Sequence, residues 1–139
     1  MTGLEILAGV LVLSTAVGLV HRARSGRMRL DRASEASLRS VLAGLGAEPG
    51  RRATLLQFSS AFCAPCRATR RVLTEVTELV PGVTHVEVDA EQHLDLVRRL
   101  GVLKTPTTLV LDAAAVEIRR ASGQPRKADV LAALGSALP

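Results

Sequence analysis

The chain has no tryptophan and no tyrosine, and its only aromatic residues are Phe58 and Phe62. Its only cysteines are Cys63 and Cys66, and its only lysines are Lys104 and Lys127. Each shortage removes a class of function. The net charge of +5 is mostly arginine, spread in pairs such as Arg51-Arg52, Arg70-Arg71, Arg98-Arg99 and Arg119-Arg120. Without rings between those arginines there is nothing to stack on bases, so no nucleic-acid partner is expected. A single cysteine pair cannot form a multi-disulfide scaffold. Nor can it complete a four-ligand zinc site, because there is no second pair and His85 and His93 lack the paired spacing of a finger. No metal or cofactor is expected. Internal repeats and low-complexity tracts are also missing, which excludes a solenoid.

What is present begins with an apolar run, Leu4 to Val20, whose one charge is Glu5 at its edge. At about 1.5 Å per helical residue it spans roughly 25 Å, within the range of a membrane helix. Its apolar residues run all round the helix, unlike the stripe of a core helix. A cleaved signal peptide would start with a basic region, and this chain starts Met-Thr-Gly-Leu-Glu with no clear small-residue cleavage site before the arginines. Residues 1–22 are therefore expected to be an uncleaved transmembrane anchor. No Lys or Arg precedes the run, and His21, Arg22, Arg24, Arg27 and Arg29 follow it. The positive-inside rule then places the rest of the chain on the cytoplasmic side of the cell membrane, as a single-pass protein. The cytoplasm keeps dithiols reduced.

Residues 23–50 read as a basic linker, Gly26 to Arg32, and a first amphipathic helix, Ser34 to Leu45. Residues 51–139 read as one folded domain. Ala53 to Ser59 is a short, largely buried strand. Cys66 to Val80 is a helix stopped by Pro81-Gly82, and Val83 to Asp89 alternates with the period of a strand. Glu91 to Leu100 is a helix, Thr107 to Leu111 a strand, and Val116 to Ala121 its hairpin partner. Pro125 opens a last helix, with Val130, Leu131, Leu134 and Leu138 on its inner side. A βαβ unit followed by a ββα unit implies an α/β fold with a mixed central sheet and helices on both faces.

The segment Ser60-Ala61-Phe62-Cys63-Ala64-Pro65-Cys66-Arg67 lies where a strand meets a helix. Free N–H groups and the helix dipole favour a thiolate at Cys63. The spacing lets Cys66 reach the first sulfur and resolve a mixed disulfide formed there. Arg67 and Arg70 add positive charge close by. Two inert buried cysteines, or a permanent bridge, are the plainer readings. A bridge closing so short a loop would stabilise little.

From about Arg51 onward the chain resembles the thioredoxin family. Phe-Cys-Ala-Pro-Cys between strand and helix resembles the family's Trp-Cys-Gly-Pro-Cys. Gly101-Val102-Leu103-Lys104-Thr105-Pro106-Thr107 resembles its Gly-Val-x-x-x-Pro-Thr segment. Gly123 resembles the glycine that borders the family's substrate groove. The resemblance implies a three-layer thioredoxin-like fold, here membrane-anchored and of bacterial type. It also implies that Cys63 and Cys66 are catalytic and that Pro106 is cis and faces them. Phe62, Ala64, Pro65, Thr105, Pro106 and Gly123 would then contact the substrate. Four departures stand out. Phe62 and Ala64 replace Trp and Gly. Gln57 stands where the family often has a buried Asp that accepts a proton from the second cysteine. A basic residue on the family's next strand falls near Glu87.

The function implied is thiol–disulfide exchange with protein disulfide substrates, in the direction of reduction, supported by an electron donor such as a thioredoxin reductase. Two alternatives share the sequence features. One is an extracytoplasmic protein for oxidative folding or cytochrome maturation. The other is a non-catalytic, membrane-bound redox sensor or interaction module.

Overall fold

The computed structural model describes residues 10, 11, 13–15 and 32–137. The chain divides into two units, Met1–Leu30 and Asp31–Pro139. In the first unit the described residues are helical, and the Thr15 hydroxyl donates to the Leu11 carbonyl at 2.6 Å. Most of the expected anchor, and nearly all of the expected linker, lie outside the described residues. Among the described residues no helix is long and apolar enough to cross a membrane.

The second unit runs α1 (Arg32–Gly44), β1 (Ala53–Ser59), α2 (Ala64–Leu79), β2 (Val83–Asp89), α3 (Leu94–Arg99), β3 (Thr107–Asp112), β4 (Glu117–Ser122) and α4 (Lys127–Ala137). The order of elements is the expected one, and several boundaries move for local reasons. Arg32 opens α1 instead of ending a linker. α2 starts at Ala64, two residues early, because Pro65 fits the first turn of a helix, where its missing N–H costs nothing. α3 starts at Leu94, three residues late. The Asp89 carboxylate accepts from the Glu91 N–H at 2.8 Å and from Gln92 Nε2 at 2.9 Å, which holds that stretch in a turn. α4 starts at Lys127, after Pro125. On it Val130 and Leu134 are buried, while Leu131 is exposed and not on the inner side. Leu138 lies outside the described residues.

The four strands form one mixed sheet in the order β2-β1-β3-β4. β1 pairs parallel with β2 and antiparallel with β3, and β4 pairs antiparallel with β3. β1 and β3 are central and covered on both faces, which is why β1 reads as a continuous apolar run without alternation. Alternate β1 side chains serve different layers. Leu56 and Phe58 join Leu38 and Leu42 of α1, Leu96 of α3, and Val102, Leu109 and Leu111. Ala53 and Leu55 join Leu73 and Val76 of α2, Val130 and Leu134 of α4, and Val110. The result is a three-layer α/β domain with helices on both faces of a mixed sheet. Edge strand β4 keeps Arg119 and Arg120 exposed, and such charges discourage edge-to-edge pairing.

One polar clasp ties β1, β2 and α2 together beside the cysteine segment. Arg70 of α2 binds Glu87 of β2 through two hydrogen bonds, Nε to Oε2 at 2.6 Å and Nη2 to Oε1 at 2.7 Å. The Ser59 hydroxyl donates to Glu87 Oε1 at 2.6 Å. The Arg70 hydrogen bonds are the main cause that holds the Glu87 carboxyl below the ordinary carboxylate range, against the opposing effect of burial.

Two tests follow from this packing. Phe58→Ala removes the largest fully buried side chain and should cost about 3–5 kcal/mol in urea denaturation. Glu87 has a depressed folded pKa, so its contribution is present above the unfolded pKa and is lost as pH falls through the folded one. The Arg70 side chain is 50 % exposed, so solvent limits the pair to about 0.5–1 kcal/mol. Glu87→Gln should therefore lower stability by that amount at pH 7, and the difference from the parent protein should shrink and vanish as pH falls through the depressed pKa of the folded Glu87.

Candidate active site

β1 carries the chain through the centre of the sheet and releases it at Ser60, three residues before Cys63. Cys63 is the N-cap of α2, in extended conformation at φ −109° and ψ 96°, so its sulfur faces the open N-terminus of the helix. The Cys66 N–H points at Cys63 Sγ at 3.1 Å. That donor, with the helix dipole behind it, favours negative charge on the Cys63 sulfur. Cys63 and Cys66 are joined by a disulfide, with their Cα atoms 5.1 Å apart. Both plainer readings of the pair must therefore account for a bridge placed at a helix N-terminus beside exposed apolar residues.

The two sulfurs are not equivalent. Cys63 is 9 % exposed and Cys66 is 1 % exposed. An incoming thiol or disulfide therefore meets Cys63 first, and Cys66 is reached through it.

The expected contact residues lie on the cysteine segment and on a turn that is hydrogen-bonded to it. Phe62 is 100 % exposed, and Ala64 and Pro65 are also exposed. The Thr105-Pro106 peptide is cis, as expected. Thr105 is half-buried and its hydroxyl shares a 2.9 Å hydrogen bond with the Ser60 hydroxyl, which fixes the proline turn to the cysteine segment. The Gly123 N–H donates to the Pro106 carbonyl at 2.7 Å, which brings Gly123 to the same turn. Gly123 has φ +98°, a conformation that a side chain would strain. Leu103, 96 % exposed, adds an apolar side chain to the segment that leads into the turn. Its signal in the sequence is a leucine with no helical or strand period to bury it.

The polar surroundings differ from expectation at one point. Gln57 is fully buried on the α2 side of β1. Its Nε2 donates to the Cys66 carbonyl at 3.0 Å, and its Oε1 lies 3.0 Å from His85 Nε2. The residue of β2 that meets Gln57 is therefore His85, not Glu87. Glu87 is directly opposite Gln57 in register, but its carboxylate is engaged by Arg70 and Ser59. Arg70 is accordingly turned away from free service to the sulfurs. Burial is the main cause that pushes the His85 imidazole below its ordinary pKa, with the Arg70 charge adding to it and Glu87 opposing. Among the described residues no group of three or more His, Cys, Asp or Glu is placed to hold a metal ion.

Comparison with known proteins agrees with this geometry. No curated protein matches the sequence. Solved structures do match the fold. A thioredoxin from Nicotiana alata is 21 % identical, with 76 % of this chain and 90 % of that one covered at a TM-score of 0.60. A thioredoxin from Fasciola hepatica is 20 % identical, with 73 % and 92 % covered at 0.58. The reduced thioredoxin pre-protein of Schistosoma mansoni is 17 % identical, with 73 % and 90 % covered at 0.58. At such identities the likeness is one of fold. The family model described as Thioredoxin matches residues 47–136, which contain β1 to β4, both cysteines and all of α4 but its last residue. On that match the chain belongs to the thioredoxin family.

Proposed function

We propose that the protein is a membrane-tethered protein-disulfide reductase whose redox domain works on the cytoplasmic side. The observation that carries the exchange chemistry is the unequal burial of a bridged Cys63–Cys66 pair at a helix N-terminus. In the reduced protein the Cys63 thiolate attacks one sulfur of a substrate disulfide. One substrate thiolate leaves and a mixed disulfide forms on Cys63. Cys66 then attacks Cys63 Sγ, the second substrate sulfur departs as a thiolate, and the bridge seen here is the product. An external dithiol must reopen it, and a thioredoxin reductase is the class of donor that fits. The exposed apolar residues Phe62, Ala64, Pro65 and Leu103 offer an unfolded or extended segment a surface beside the sulfur. Thr105 supplies backbone polar groups with which such a segment can pair.

The direction and the compartment rest on charge. The arginines after the apolar run, with none before it, favour a domain held in the reducing cytoplasm. The extracytoplasmic alternative uses the same chemistry with the opposite topology.

Three results test this reading. Full-length protein should reduce insulin with dithiothreitol as donor, and Cys63→Ser should lower the rate to that of dithiothreitol alone. Cys66→Ser should retain substrates as mixed disulfides that release on reduction. Alkaline phosphatase fused to the C-terminus should be inactive and a fluorescent-protein fusion bright; an active phosphatase would overturn the cytoplasmic assignment.

A further inference from the structure

The chain uses arginine for nearly all its positive charge, and lysine stands only at positions 104 and 127. Lys127 is paired with Glu75 at 3.0 Å. Lys104 forms no ion pair among the described residues, and neither does Arg67. Both are exposed. An unpaired surface cation is ordinary in itself, and the positions of these two are what matter. Arg67 follows Cys66 directly, in the first turn of α2. Lys104 stands between Leu103, 96 % exposed, and Thr105. Its ammonium reaches Gly123. Lys104 Nζ lies 3.9 Å from the place that a Cβ on Gly123 would take, and apart from the chain neighbours no other atom comes within 4 Å of it. The Gly123 N–H is bonded to the Pro106 carbonyl, and Thr105 is bonded to Ser60 of the cysteine segment. The ammonium is therefore held beside the turn that presents Thr105 and Leu103.

The acidic side chains at this end of the sheet lie on its other side. Asp89 and Glu91 follow β2, and the strand order puts β1 between them and the segment that leads into β3. The Asp89 carboxylate is already engaged by the Glu91 N–H and by Gln92. Arg70, one turn beyond Arg67 on α2, is neutralised by Glu87. A segment that pairs with the Thr105 backbone thus meets exposed apolar side chains and the uncompensated charge of Lys104, with Arg67 next in the chain to Cys66.

We propose that Lys104, assisted by Arg67, selects protein segments that carry acidic residues next to the reacting disulfide. This rests on the exchange reading above and adds the class of substrate to it. Phe62 and Leu103 supply apolar contact that accepts many sequences. A fixed cation discriminates by sign: a carboxylate beside the substrate disulfide speeds encounter, and a lysine or arginine there slows it. The covalent steps are those already given, so the preference acts on the first attack by Cys63. Both cations are exposed, so salt screens the preference. The screening distance falls from about 30 Å at 0.01 M to about 3 Å at 1 M.

The test uses the reduced full-length protein in micelles of an uncharged detergent and three synthetic peptides, each closed by one disulfide. The peptides differ only in the residues that flank their cysteines, which are Glu, Gln or Lys. The second-order rate of peptide reduction is measured by acid quenching. In the parent protein the Glu peptide should react about tenfold faster than the Lys peptide at about 0.02 M salt, with the Gln peptide between them. The ratio should fall towards one at about 0.5 M salt. Lys104→Glu should abolish or reverse the order of the Glu and Lys peptides. The ratio is the readout because any effect of the substitution on Cys63 itself cancels in it. Arg119→Glu makes the same change of net charge on β4, at the strand position paired with Val110 and away from the cysteine segment, and should keep the parent order. Equal rates for the three peptides in the parent overturn the inference, as does a Lys104→Glu ratio equal to the parent's or an equal collapse in Arg119→Glu. Each of these leaves the exchange reading standing. If the reduced parent protein reduces none of the peptides, the exchange reading fails, and this inference with it.

Discussion

The geometry of the site depends on the burial of β1 on both faces. A strand covered by α1 and α3 on one side and by α2 and α4 on the other has no freedom to slide. Shifting its register by one residue would exchange Leu56 and Phe58 for Leu55 and Gln57 and put a buried amide into an apolar layer. That constraint fixes where the chain leaves the sheet. It therefore fixes the entry to α2 and the position of Cys63 at its cap. The Arg70–Glu87–Ser59 clasp and the Ser60–Thr105 hydrogen bond then hold the loops on either side of the exit.

Burial also explains the polarity of the site. The apolar rim of Phe62, Ala64, Pro65 and Leu103 faces outward, while the polar groups Gln57, Thr69 and Thr108 face inward beneath Cys66. This inverts the usual arrangement of a folded domain. Exposed apolar residues suit contact with another chain. Buried polar ones cost stability unless they bond or perform chemistry. Gln57 recovers that cost with two hydrogen bonds, one of them to the backbone of Cys66.

Much of this was legible in the sequence because it rests on local chemistry. The Cys-x-x-Cys spacing at a strand–helix junction, the Pro65 start of α2, the Thr105-Pro106 turn and the period-two run of β2 are signals carried by adjacent residues. Element starts shifted where a side chain competed with the helix, as Asp89 does ahead of α3. What the sequence hid was a diagonal contact. Parallel pairing sets Glu87 opposite Gln57, and nothing local reveals that Arg70 and Ser59 take Glu87 while Gln57 reaches back two residues to His85. The choice is made by competition among hydrogen-bond partners on three elements, and only their joint arrangement decides it.

The difference in exposure between Cys63 and Cys66 has a consequence for traffic through the site. With Cys66 almost fully buried and Cys63 slightly exposed, a single opening would serve every partner in the exchange proposed above. In the exchange proposed above, a donor of electrons and a protein that receives them would dock on the same few side chains and could not do so together. Each must leave before the next arrives. On that proposal, exchange would run as a two-stroke cycle with alternating visitors, each competing with the other for the one opening.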